Sequence, residues 1–265
     1  MADQDTGVPL TVVQPPSAAV IRVVKREYEP FAPPPWEAAA DDGTFGSRFD
    51  DPSKLLGLSE TERFRIVYCA TRRAAALGET MAGFLPPLRY LAKELQADDP
   101  EVIHARAASL VDPKHPRHGL VPESWRVGRH LGRTVVDPAS RFVDIAAGAS
   151  VNHLRSALAA EAVRLGLPDF DLSSVTGPQR RLTQACARYV YDQTDEAGQP
   201  IYAGIRYVSR LNPAWECWAI FHDRLRHTPA FAETIFPDDP GLLEAAALLG
   251  LTIEGFAGQV LRLWR

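Results

Sequence analysis

A chain of 265 residues with 46% hydrophobic and 23% charged residues can bury a sizeable core without disulfides and fits a soluble globular protein. Its net charge of −4 and isoelectric point near 6.0 argue against a dedicated nucleic-acid binder, which needs a basic field. Three widely spaced cysteines, Cys69, Cys186 and Cys217, read as free thiols of a reducing compartment. No secretory pattern opens the sequence, and no apolar run approaches the roughly 20 residues that span a bilayer. The expectation is a cytoplasmic protein with no membrane partner and no direct nucleic-acid contact.

Residues 1–18 are polar, carry Pro15 and Pro16, and read as a flexible arm. Ala19 to Val24 is rich in β-branched residues and predicts a strand. Pro30 to Pro35 cannot be helix interior. A glycine-flanked turn, Gly43 to Phe49, follows. Arg65 to Ala70 predicts a second strand, which runs into a helix over Thr71 to Leu85, where Ala74, Leu77, Gly78, Met81 and Leu85 recur at helical spacing. Pro86 and Pro87 end it. Another helix is expected over Tyr90 to Leu95, then mostly loop from Asp98 to Pro122. Trp125 to Val136 and Arg141 to Ile145 are weak strand or loop candidates. Helices are expected over Val151 to Leu165, closed by Gly166, and over Pro178 to Tyr191, with Pro178 at the first helical position. Strands follow at Gly204 to Val208 and Cys217 to Phe221. The chain finishes with a helix, Pro240 to Leu249, and a strand-like Leu251 to Phe256. Without regular βαβ spacing, the pattern favours α+β over a doubly wound parallel sheet.

Several chemistries leave no trace. There is no glycine-rich dinucleotide fingerprint after a strand, no P-loop lysine motif and no Gly-x-Ser-x-Gly elbow. His115 and His118 share a loop, but no Cys or carboxylate cluster supports a metal, and none is expected. Cys69, inside an apolar strand, reads as a small core residue rather than a nucleophile.

Three ordered segments carry more information. The first is Gly46-Ser47-Arg48-Phe49-Asp50, preceded by Ile21-Arg22-Val23 and Tyr28-Glu29-Pro30. The second is Val67-Tyr68-Cys69-Ala70, followed by Ala74-Ala75-Ala76-Leu77-Gly78-Glu79. The third is Gly204 to Arg210, followed by Trp215 to Phe221. In order and spacing this set resembles the RES domain family over about residues 19–223. The resemblance implies a single mixed α+β domain like that of ADP-ribosyltransferases, here with helical insertions and a C-terminal extension at 224–265. It implies attack on the nicotinamide–ribose bond of NAD, which is a substrate rather than a cofactor, with no other cofactor. A helix-turn-helix antitoxin is the implied partner. Compared with plainer members, the chain has extra length between about Leu85 and Val151 and after Asp223, and its Arg210 to Trp215 loop is poorer in glycine.

Each marked residue has a chemical reason. Loss of nicotinamide builds positive charge on the ribose, as in glycoside cleavage, and a nearby carboxylate stabilises it. Glu79, flanked by Ala75 and Ala82 on its helix, is the candidate; otherwise it is a solvated helix glutamate. Arg48 suits the two phosphates of NAD, because a guanidinium grips phosphate through parallel hydrogen bonds. Tyr68 either stacks on nicotinamide or packs in the core. Ser209 shares a strand face with Ile205 and Tyr207, and its hydroxyl can hold the nicotinamide amide or orient Glu79. Without a His-Asp relay it is not assigned as a nucleophile. Arg206 and Arg210 are weaker candidates for phosphate or partner contacts. Three readings follow: an NAD glycohydrolase or phosphorylase acting as a growth-arresting toxin, an ADP-ribosyltransferase with a protein target, or a non-catalytic RES-like domain that binds a partner.

Overall fold

The computed structural model describes residues 9–52, 57–86 and 119–255. Ten described strands are β1 (Val12–Val13), β2 (Val20–Lys25), β3 (Ile66–Ala70), β4 (Leu120–Val121), β5 (Arg129–Thr134), β6 (Phe142–Asp144), β7 (Gly204–Val208), β8 (Glu216–Phe221), β9 (Phe231–Thr234) and β10 (Thr252–Ile253). The described helices are α1 (Arg73–Met81), α2 (Glu123–Val127), α3 (Gly148–Ala157), α4 (Ala159–Arg164), α5 (Leu172–Thr176), α6 (Arg180–Tyr191) and α7 (Pro240–Leu249). The fold is α+β. Eight strands form one mixed sheet in the order β1-β6-β7-β8-β3-β2-β5-β9, antiparallel except between β6 and β7.

The central strands are buried on both faces because their residues alternate between two cores. In β3, Ile66 and Ala70 join the larger core with Leu77, Met81 and Leu182 from α1 and α6. Val67 and Cys69 point the other way, toward Phe31, Phe142 and Trp218. Cys69 is thus a core residue, and burial pushes its thiol up to about 12. Among the described residues no helix is long and apolar enough to cross a membrane.

Several expected elements take another form. Part of the stretch read as a flexible arm is tied down: Leu10 is buried, β1 pairs with β6, and the Thr11 amide donates to Ser150 Oγ at 2.9 Å. The weak strand at Trp125 to Val136 is α2 followed by β5. Pro122 stands at the helix N-cap, where a missing N–H costs little. The helix expected over Val151 to Leu165 starts at Gly148 and breaks at Leu158, whose backbone leaves helical geometry (φ −109°, ψ 17°). Pro178 lies outside α6, which opens at Arg180 with Gln179 as its cap. The helix over Thr71 to Leu85 is α1 plus a 3-10 turn, Ala82–Phe84. The strand-like Leu251 to Phe256 narrows to β10. Also unread were β4, in a stretch expected to be mostly loop, α5, capped by Asp171, and β9, an edge strand with Phe231, Ala232 and Thr234 exposed. The helix expected at Tyr90 to Leu95 and the His115–His118 loop lie outside the described residues.

β4 pairs in parallel with β10 in a separate two-stranded sheet. α7 packs along α1, and Asp239 joins them: it caps α7 and takes Arg73 Nε and Nη2 at 2.5–3.0 Å.

Candidate active site

β2 runs beside β5 for six paired residues but meets β3 at a single position, Ile21 opposite Ala70. Away from that point the two strands part. A cavity of about 410 Å³ opens there, lined by residues of β2, β3, α1 and β7 and by the Gly46–Arg48 turn. All four sequence-selected residues are at it or against it: Arg48, Tyr68 and Glu79 line it, and Ser209 bonds to Glu79.

Each arrives by its own local logic. Glu79 lies on the open side of α1, whose Ala74, Ala75, Ala76, Leu77, Gly78 and Met81 are all buried. Ser209 follows the last residue of β7 and is buried. Its Oγ donates to Glu79 Oε1 in a short hydrogen bond and accepts the Leu211 amide at 3.0 Å. The hydroxyl's one proton is thereby committed to Glu79, and one carboxylate oxygen is fixed while the other has no hydrogen bond among the described residues.

Arg48 rides on a turn that only glycine can make cheaply: Gly46 has φ +76°. Two residues of α6 grip that turn. Gln184 Nε2 donates to the Ser47 carbonyl at 3.1 Å, and Thr183 Oγ1 to the Arg48 carbonyl at 2.5 Å. The Arg48 guanidinium stacks over Tyr207 and Phe49, 4.8 and 5.1 Å from their centroids. Its Nη1 donates to the Thr176 carbonyl at 3.2 Å, but its buried Nη2 has no acceptor among the described residues. Burial, more than any neighbour, lowers its pKa. A half-buried guanidinium that lines a cavity and is not paired with a carboxylate among the described residues suits an anion.

Tyr68 is partly packed in the fold and partly open to the cavity. Its half-buried ring lines the cavity, while its hydroxyl accepts the Phe49 amide at 2.9 Å and approaches Asp50 Oδ1 at 3.4 Å. Burial raises its pKa well above the usual phenol value, so it is a neutral hydroxyl at physiological pH.

Other participants escaped sequence reading. Asp50, buried, accepts the amides of Phe45 (2.9 Å) and Ser47 (2.6 Å) and so shapes the Arg48 turn; burial raises its pKa against those donors. Tyr207 supplies the ring beneath Arg48. Arg180 lines the cavity with an exposed side chain, beside Arg210, which the sequence had marked as a weaker candidate. Arg22 lines it too, but its Nη1 is engaged by the carbonyls of Ala32 (2.5 Å) and Pro30 (3.3 Å), and burial lowers its pKa to about 10. Arg206 is excluded: its guanidinium is held by Asp144 (3.1 Å) and Glu216 (3.0 Å). Among the described residues no group of three or more His, Cys, Asp or Glu side chains could hold a metal.

A family model described as the RES domain matches residues 19–240. The chain belongs to the RES domain family. That places it among toxin-like enzymes that act on NAD and are linked to antitoxin partners. The RES match ends at the first residue of α7, so most of that helix and β10 lie beyond it. No curated protein and no solved structure matches the chain.

Proposed function

We propose that this RES protein cleaves the nicotinamide–ribose bond of NAD, passes ADP-ribose to water or phosphate, and so acts as a toxin that depletes NAD. The observation that carries the reading is Glu79, held by Ser209, facing the same cavity as Arg48. In this reading the free oxygen of Glu79 faces the ribose and stabilises the positive charge that grows as nicotinamide departs. Ser209 acts here by keeping that carboxylate in one orientation. Arg48 faces the diphosphate with its guanidinium, helped from the rim by Arg180 and Arg210. Tyr68 offers its ring to nicotinamide while its hydroxyl holds the Arg48 turn. A helix-turn-helix antitoxin covering the cavity would restrain the activity.

The test is incubation of purified protein with NAD, with and without phosphate, following nicotinamide release and the fate of ADP-ribose. Release with free ADP-ribose or its 1-phosphate is expected. Label retained on protein would instead identify an ADP-ribosyltransferase. No release by folded, antitoxin-free protein would leave only a partner-binding domain.

A further inference from the structure

Glu79 and Ser209 come from elements 130 residues apart in sequence, yet their side chains meet. Their separation must be set by something that touches both backbones. One side chain does so. Trp215, fully buried, ends the loop 209–215 that joins β7 to β8. Its carbonyl accepts the Ser209 amide at 2.9 Å, and its own amide donates to the Asn212 carbonyl at 2.9 Å, so its backbone is locked to the serine. Its indole reaches across to α1 and packs against Gly78, the residue before Glu79. A Cβ built on Gly78 would sit 2.3 Å from both Cη2 and Cζ3 of the ring. Such a distance is impossible for a side-chain carbon, so only glycine allows α1 to come this close.

Trp215 Nε1 is buried and has no acceptor among the described residues, so among them the indole is held by packing rather than by a polar contact. Nor does Trp215 line the cavity. A large side chain that offers a substrate nothing, yet bridges the two elements carrying Ser209 and Glu79, acts on geometry. We infer that Trp215 is a positioning residue: with Gly78 it sets the approach of α1 to the end of β7, and through that the Glu79–Ser209 hydrogen bond. The inference rests on the NAD-cleaving reading for its catalytic consequence, though not for its geometric one.

The test pairs kinetics with crystallography on the full chain. Gly78→Ala should force ring and helix apart and lower kcat about tenfold to a hundredfold, since small misplacements of reacting groups cost this much. KM for NAD should change little, because Arg48 and Tyr68 stand on other elements. Trp215→Phe in the Gly78→Ala background, whose shorter ring vacates the Cη2 and Cζ3 positions, should recover most of that loss. Rescue of this kind is not expected if Trp215 merely fills the core. Should Gly78→Ala fail to fold, Trp215→Phe alone should lower kcat with KM preserved, because α1 loses its stop. Crystal structures of the wild type and a folding variant read the geometry without turnover: the Glu79 Oε1–Ser209 Oγ bond should be present in the first and lost in the second. An intact bond in the variant, or a lost bond with wild-type kcat, overturns the inference. A wild type that releases no nicotinamide would sink the functional reading instead, and the two crystal structures would still decide the positioning.

Discussion

Arg73 and Arg48 are both half-buried arginines close to α1, and they are completed in opposite ways. At the start of α1, Arg73 gives Nε and Nη2 to Asp239 and Nη1 to Glu233, which also takes Arg133 at 3.0 Å. Near the other end, beside Glu79, Arg48 has one carbonyl, two aromatic faces and a buried Nη2 without an acceptor among the described residues. A guanidinium whose three nitrogens each meet a carboxylate is already paired in charge, so the Arg73 cluster holds α1, α7 and β9 together. A guanidinium left short at a cavity wall is a receptor. The contrast separates residues kept for stability from residues kept for a ligand, and substitutions at the two ends should fail differently.

The largest effect is expected at the cavity end. Glu79→Gln keeps the shape and the Ser209 partner but removes the charge. It should lower kcat for nicotinamide release about 100-fold or more, the usual cost of losing a charge-stabilising group. Thermal denaturation should barely move, because Glu79 is exposed. Unchanged turnover would take Glu79 out of the mechanism. At the other end the signs reverse. Asp239→Asn leaves Arg73 partly unmatched and weakens the junction of α7 with α1. With Arg73 partly solvated, the loss should be about 2–3 kcal/mol, below the range for fully buried pairs. That corresponds to a fall in Tm of roughly 5–10 °C in a domain of this size. Calorimetry showing no fall would mean that the cluster is ornamental.

Smaller again is Arg48→Lys. Charge is preserved, but the planar fork and its stacking on Tyr207 and Phe49 are lost. KM for NAD should rise about tenfold with kcat nearly kept, the mark of lost ground-state binding. A kcat effect alone would place Arg48 at the reacting bond rather than on the diphosphate.

How much of this was legible depended on the range of the interactions. β2, β3, β7, β8, α1 and α7 were readable because their apolar spacing is a local property. β9 was not: three of its four side chains are exposed, and it is a strand only because β5 offers an edge. Nor was the break at Leu158, inside a stretch with continuous helical periodicity. In the site, Arg48, Tyr68, Glu79 and Ser209 were marked by ordered motifs in the chain. Tyr207, Asp50 and Arg180 matter through what the fold brings beside them, and only the structure supplies that. Trp215 is the extreme case: one bulky residue in a loop poor in glycine, whose partner is a glycine in a distant helix.

The smallest predicted effect tests the receptor turn by pH. Burial raises the folded-state pKa of Asp50 above its unfolded value. A raised pKa means that the folded state binds the proton more tightly, so Asp50 adds stability below the unfolded value and loses it as pH climbs through the folded one. Asn in its place can still accept the Phe45 and Ser47 amides through its carbonyl oxygen, and it carries no charge to desolvate. The difference in Tm, wild type minus Asp50→Asn, should therefore fall as pH rises from about 3 toward 7, across and above the ordinary carboxylate range. A difference that grows with pH would mean that the charged carboxylate stabilises the turn, outweighing burial through its two amide donors. Asp50 would then be an anionic brace for the Arg48 loop.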